Sequence, residues 1–147
     1  MSPKIPASDA SVIIAGCGSI GASLAIKFRE TGHDVKIIDS DANAFKKLGP
    51  EFTGLPVEGD AGNVETLLAC GIQQAHFVIA ATGHDNLNLM IAQVAKVVYG
   101  TPCVAASLSG PADQTGLGQM GIRFFLPAQI VADAVCALLD MEDAGKS

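Results

Sequence analysis

Charge is scarce in this sequence. Only 16% of its 147 residues are charged, and the nine Lys and Arg are outnumbered by fifteen Asp and Glu, for a formal net charge of -6. A chain so poor in cations has little with which to neutralise a row of phosphates, which argues against a nucleic-acid partner and against docking on anionic lipid. There is no Trp and a single Tyr, Tyr99, so no Tyr-x-x-x-Lys catalytic pair exists. The four cysteines, Cys17, Cys70, Cys103 and Cys136, form no C-x-x-C pair and no zinc-like spacing with histidine. They are expected to be small buried thiols in a reducing compartment. Lys96 or a glycine interrupts every apolar stretch before the roughly 20 residues that a bilayer span needs. Residues 1–10, with Pro3 and Pro6, lack the apolar centre of a signal peptide. The expectation is a soluble, cytoplasmic protein.

Hydrophobicity is abundant instead: 49% of the chain is apolar. The length corresponds to about one domain, large enough to bury a core without disulfides or metals. Short apolar runs alternate with helical stripes from end to end. Ser11–Ala15 reads as a buried parallel strand, followed by a helix on Ile20, Leu24 and Phe28 that stops at Gly32. A second strand, Asp34–Ile38, ends at Asp39. Ser40 or Asp41 then caps a short helix carrying Phe45 and Leu48. Leu55–Glu58 is a third strand, and Val64, Leu67 and Leu68 mark a helix ending near Gly71. His76–Ala81 is a fourth strand, and a long helix runs through Leu87, Met90, Ile91, Val94, Val97 and Val98. Cys103–Ser107 and Arg123–Leu126 are the fifth and sixth strands, with a weak helix at 111–120 between them. A last helix carries Ile130, Val131, Ala134, Val135, Leu138 and Leu139. This alternation predicts an α/β fold: one doubly wound, Rossmann-type parallel sheet of about six strands in a single domain at 11–140. Residues 1–10 and 141–147 are expected to be tails.

Gly16-Cys17-Gly18-Ser19-Ile20-Gly21 is a G-x-G-x-x-G loop between a strand and a helix, the context in which it binds a dinucleotide or nucleotide phosphate. Gly16 permits the tight turn, Gly18 lets a pyrophosphate approach the backbone, and Gly21 lets the helix pack on the strand. The helix N-terminus, with Ser19 and Ile20, holds the anion. Asp39, about 20 residues further on, is placed to accept hydrogen bonds from ribose hydroxyls, with Ser40 beside it. The alternative role for Asp39 is to cap the next helix. No Arg or Lys follows until Lys46, so NAD(H) or an unphosphorylated adenosine ribose (ATP, ADP or AMP) is favoured and NADP disfavoured. These features do not separate NAD from ATP, ADP or AMP.

The glycine loop, Ile37-Ile38-Asp39, Glu58-Gly59-Asp60-Ala61, Gly71-Ile72, Ala80-Ala81-Thr82-Gly83 and Asn86-Leu87-Asn88 together resemble a TrkA-N domain. That domain is the N-terminal half of the domain that regulates conductance of potassium (RCK, or KTN). The resemblance covers about Ser11 to Leu139, and its Gly-Asp-Ala step and Ala-Thr-Gly turn are more specific than the glycine loop. It implies a nucleotide-binding regulatory subunit, a homodimer or higher ring, on the cytoplasmic face of a membrane potassium channel or transporter. It also implies that Asp60 and Ala61 lie on the adenine side of the pocket, and that Thr82 and Gly83 lie at its mouth near ribose and phosphates. The alternatives are an Asx turn or helix cap for Asp60 and a helix-starting turn for Thr82-Gly83. Two departures stand out. Ser19 replaces the basic or long polar residue of many members, and the C-terminal subdomain is absent, so the chain is expected to stand alone or to borrow a partner.

An enzyme would need an acid or base near the cofactor. His33 is expected at the surface, His76 at the far end of its strand, and Asp85 as a helix cap. Only His84 is placed to face a cofactor. No nucleophile–base pair stands out, so a regulatory module is expected. A small NAD-dependent oxidoreductase, or the cofactor half of one, is the alternative. The final helix is expected to pack on its own sheet or on a second subunit.

Overall fold

A computed structural model describes residues 5–110, 118 and 120–139. Six strands, β1 (Ser11–Ala15), β2 (Asp34–Asp39), β3 (Leu55–Glu58), β4 (Phe77–Ala80), β5 (Cys103–Ser107) and β6 (Ile122–Phe125), form one sheet in the order β3-β2-β1-β4-β5-β6. Every pairing is parallel. Chain order reverses between β1 and β4, which makes this sheet doubly wound and opens a crevice at the carboxyl ends of those two strands. The fold class read from the alternation is the fold observed.

Among the described residues the α-helices include α1 (Ser19–Glu30), α2 (Val64–Ala69), α3 (Asp85–Gln93) and α4 (Pro127–Leu138). Strand side chains alternate between the faces, so neighbouring residues join different cores. Val12, Ile14, Val35 and Ile37 pack under α1 with Ala22 and Ala25. Ile13, Ala15, Val78 and Val104 pack on the opposite face with Leu67 of α2 and Ile91 of α3.

Several local expectations are corrected. Strand β4 begins at Phe77 and ends at Ala80, and β6 is Ile122–Phe125. The segment after β2 is a 3-10 helix, Ala42–Leu48, whose N-cap is Asp41: its carboxylate accepts from the Asn43 N–H at 3.0 Å. The long helix widens after Gln93 into a π turn, Val94–Val98, closed by the Tyr99 N–H on the Val94 carbonyl. Lys96 in this turn donates to the carbonyls of Thr101 and Pro102, satisfying acceptors at the chain reversal before β5. The weak helix expected at 111–120 lies mostly outside the described residues, as do 140–147.

His33, expected in solvent, is only 8% exposed. The turn at Gly32 folds it inward, where it packs against Phe28 and Phe77 and its Nδ1 accepts from the Ala10 N–H. Nor are all four thiols buried: Cys17 and Cys70 are, Cys103 is half-buried, and Cys136 on α4 is exposed. Helix α4 starts at Pro127, a residue suited to the first helical position, yet none of its residues is buried. Among the described residues, nothing buries its apolar stripe.

Candidate functional site

The crevice at the strand switch point is an open cleft of about 470 Å³. Its walls are the β1–α1 loop, the end of β2 with the 3-10 helix, the β3 exit and the β4 exit. Gly16, Gly18, Ser19, Ile20, Asp39, Ser40, Asp60, Ala61, Thr82 and Gly83 all line it. Gly21 alone among the candidate residues stands behind the wall.

The three loop glycines are held by different constraints. Gly16 has φ +101°, and a Cβ there would lie 2.5 Å from the Ala81 carbonyl oxygen, so the loop rests directly on the β4 exit. A Cβ on Gly21 would collide with the Gly16 carbonyl, because α1 crosses the loop at backbone contact distance. At Gly18 nothing lies within 4 Å, so a side chain there would enter the cleft. Gly18 is also the N-cap of α1 and supplies no capping side chain. The first N–H groups of the helix thus lack a side-chain acceptor and carry the positive end of the dipole, a feature suited to an anion.

Opposite this positive end stands a carboxylate. Asp39 accepts from the Cys17 N–H on one oxygen and from the Asp41 N–H on the other, each at 2.8 Å. It thereby fixes the glycine loop to the end of β2. A carboxylate has about four lone-pair sites, so these bonds leave capacity for hydroxyl donors. Asp60 forms the Asx turn weighed for it, accepting from the Gly62 N–H at 2.8 Å, while the cap of α2 is Asn63. It nevertheless lines the cleft beside buried Ala61. Asp85 is not the cap of α3: His84 holds that position, and the Asp85 carboxylate accepts instead from the Ser109 N–H and hydroxyl. His84 lines the mouth of the cleft.

Sequence spacing missed Lys47, the one Lys or Arg among the described residues of the lining, where Asp39, Asp41 and Asp60 supply three carboxylates. Ala44 and Lys47 are three residues apart, and in a 3-10 helix such residues lie on one face. The Ala44 carbonyl accepts from the Cys17 thiol at 3.4 Å, so that face looks onto the glycine loop. Cys17, Ile38, Asp41, Ala44, Gly59, Ala81 and Leu87 complete the lining.

Burial raises the Cys17 thiol pKa above its ordinary value. The Asp39 carboxylate adds to the rise and Lys47 opposes it. Burial likewise raises Cys70, against the pull of Lys36. A raised pKa means less thiolate at neutral pH, so both thiols should resist modification. In titration with a chromogenic disulfide reagent at pH 7, Cys136 is expected to react first, with Cys17 and Cys70 reacting only after denaturant is added. Early loss of Cys17 would show that the loop opens. Among the described residues, no group of three or more His, Cys, Asp or Glu is gathered to hold a metal, and no helix is long and apolar enough to cross a membrane.

Comparison with known families matches residues 12–126 to the TrkA-N domain. The chain belongs to the TrkA-N domain family. It is 34% identical over 122 residues to the Trk system potassium uptake protein TrkA of Streptomyces coelicolor, covering 83% of this chain and 55% of that protein. It is 30% identical over 111 residues to the TrkA homolog of Methanothermobacter thermautotrophicus, covering 76% of this chain and 51% of that one. The TrkA-N chain thus spans about half the length of these relatives. Among solved structures, the TrkA-N domain of the Escherichia coli inner membrane protein ybaL superposes with TM-score 0.74 at 16% identity, over 90% of this chain and 98% of that domain. GsuK bound to ADP superposes with TM-score 0.73 at 23% identity, over 92% of this chain and 35% of that one. The GsuK channel bound to NAD superposes with TM-score 0.65 at 17% identity, over 82% of this chain and 22% of that one. At these identities the superpositions establish the shared fold.

Proposed function

We propose that this TrkA-N domain is a nucleotide-binding regulatory module of a membrane potassium channel or transporter, with NAD(H) or ATP, ADP or AMP as its ligand. One observation carries the ligand assignment: the side-chain-free N-terminus of α1 at Gly18 and the Asp39 carboxylate face one cleft at the sheet's switch point. The phosphates rest on the N–H groups at Gly18, Ser19 and Ile20, and Asp39 with Ser40 takes the ribose. The adenine runs along Asp60 and Ala61, and Thr82 and Gly83 close the mouth. A 2′-phosphate would meet Asp39 and Asp41, with Lys47 as the single lining cation among the described residues, so NADP binds less well than NAD. The names of the potassium-uptake relatives support the partner class. Structures of GsuK with ADP and with NAD support a fold that accepts either ligand.

A second copy of the chain covers α4. Between the sheet and the first turn of this helix lies an apolar groove of about 460 Å³, lined by Leu24, Phe28, Ile79, Ala105 and Phe125 on one side and by Ile130 and Val131 of α4 on the other. The apolar stripe of the helix continues past the groove through Val135 and Leu138, and Ile130, Val131, Val135 and Leu138 are all exposed. A reciprocal exchange between two copies buries both surfaces. Regulation then requires the nucleotide to favour one arrangement of the assembly, since equal affinity for two states shifts neither.

Thermal denaturation with NAD, NADH, NADPH, ATP, ADP and AMP tests the ligand assignment. A ligand at 100 times its dissociation constant adds about 2.7 kcal/mol of stability, and for a domain of this size each kcal/mol is worth roughly 2–4 °C. Asp39→Asn, compared with its own unliganded melting temperature, is expected to lose most of that shift. Absence of any shift in the wild type would overturn the proposal. Sustained NADH oxidation with a carbonyl compound would favour the oxidoreductase instead.

A further inference from the structure

Asn88 is 1% exposed, and every hydrogen-bonding site of its side chain is used. Its Oδ1 accepts from the Thr82 N–H at 2.9 Å and from the Thr82 hydroxyl at 2.6 Å. Its Nδ2 donates to the Thr82 carbonyl at 3.2 Å and to the Ser107 carbonyl at 2.9 Å. Two donors and two lone pairs are all that an amide has. The opposite orientation would set its NH₂ against the Thr82 N–H, donor against donor. Thr82 is thus gripped through its N–H, hydroxyl and carbonyl by one buried residue.

We infer, building on the nucleotide site proposed above, that Asn88 is the positioning residue of the ligand-facing turn and ties that turn to the base of α4. The first consequence concerns the cleft. With the Thr82 hydroxyl proton and N–H committed inward, Gly83 supplies the free N–H of this turn, donating to no described group. The second concerns the edge of the sheet. Asp85 and Asn88 lie three residues apart on one face of α3. Asp85 holds Ser109 by its N–H and by its hydroxyl at 2.7 Å, so the first turn of α3 clamps the β4 exit to the β5 exit. The Leu108 N–H then donates to the Phe125 carbonyl at 3.0 Å, two residues before α4 begins at Pro127. Ordering of Thr82–Gly83 by a nucleotide is transmitted along these bonds to Phe125, which lines the apolar groove.

Amide hydrogen exchange with and without ADP, alongside ADP titration calorimetry, tests this on the full chain. In the wild type, ADP is expected to slow exchange at Ser107–Ser109 as well as at the glycine loop. Asn88→Ala is expected to weaken ADP binding roughly tenfold, as the loss of a well-made buried bond network implies. In that variant, saturating ADP should protect the glycine loop but no longer 107–109. Asn88→Asp retains the oxygen that accepts from the Thr82 N–H and hydroxyl and loses the donations to the Thr82 and Ser107 carbonyls. It is expected to bind ADP more tightly than Asn88→Ala and still fail to protect 107–109, and it serves if the alanine variant does not fold. Wild-type affinity in Asn88→Ala, or protection of 107–109 in Asn88→Asp, overturns the inference. ADP binding by the wild type without protection at 107–109 overturns it while leaving the proposed ligand intact. No binding of any adenine nucleotide overturns both.

Discussion

Gly21→Ala is expected to lower stability by about 3 kcal/mol or more, beyond the usual cost of an overpacked methyl group. The added Cβ would meet the Gly16 carbonyl, and the next atom it approaches is Ile14 Cγ2 at 3.6 Å. Neither the backbone oxygen nor a strand residue of the buried core can turn aside. Helix α1 has to move off the sheet, which separates Ala22 and Ala25 from Val12, Ile14 and Ile37. At roughly 2–4 °C per kcal/mol the melting temperature falls by about 6 °C or more. Gly18→Ala, three residues earlier, is the control. Its φ of -79° suits any residue and its Cβ meets nothing within 4 Å. The change costs at most about 1 kcal/mol, the scale of an altered helix cap, yet it places a methyl group where the phosphate is proposed to lie. Urea denaturation and nucleotide titration of both variants separate these effects. A Gly21→Ala protein as stable as the wild type would contradict the close approach of helix and loop.

The double substitution Val131→Asp and Leu138→Asp is expected to convert the proposed dimer into a monomer. In the isolated chain these side chains are 60% and 80% exposed, so carboxylates there leave the monomer's own stability within about 0.5 kcal/mol. In the dimer each large apolar side chain that becomes buried contributes about 1.5–3 kcal/mol, and an unpaired charge in its place reverses the sign. Sedimentation equilibrium should give twice the 15.0 kDa chain mass for the wild type and the single mass for the variant. A monomeric wild type at high concentration would contradict the exchange of α4.

The doubly wound parallel sheet was legible because the alternation of short apolar runs and helical stripes admits few right-handed topologies. The glycine loop was legible because a strand precedes it and a helix follows, and Gly16 and Gly21 show the steric reasons for their identity. What escaped depended on geometry that spacing does not encode. Lys47 was missed because its helix meets the glycine loop through a contact between Cys17 and Ala44, 27 residues apart, which local spacing does not encode. His33 was misplaced because the Gly32 turn folds it under Ala10, a contact between residues far apart in sequence. Asp85 looked like a cap, but its partner, Ser109, is 24 residues away. The destination of α4 was undecidable in principle, since one apolar stripe fits a home sheet and a second subunit equally well.

The central claim is that the cleft between α1 and Asp39 binds an adenine nucleotide, and amide chemical-shift mapping during an ADP titration tests it most directly. The account predicts saturable shifts at Gly18, Ser19, Asp39, Asp60 and Gly83, with α2 and the π turn at Val94–Val98 undisturbed. No shifts at millimolar ADP, or shifts confined to the α4 groove, would contradict it.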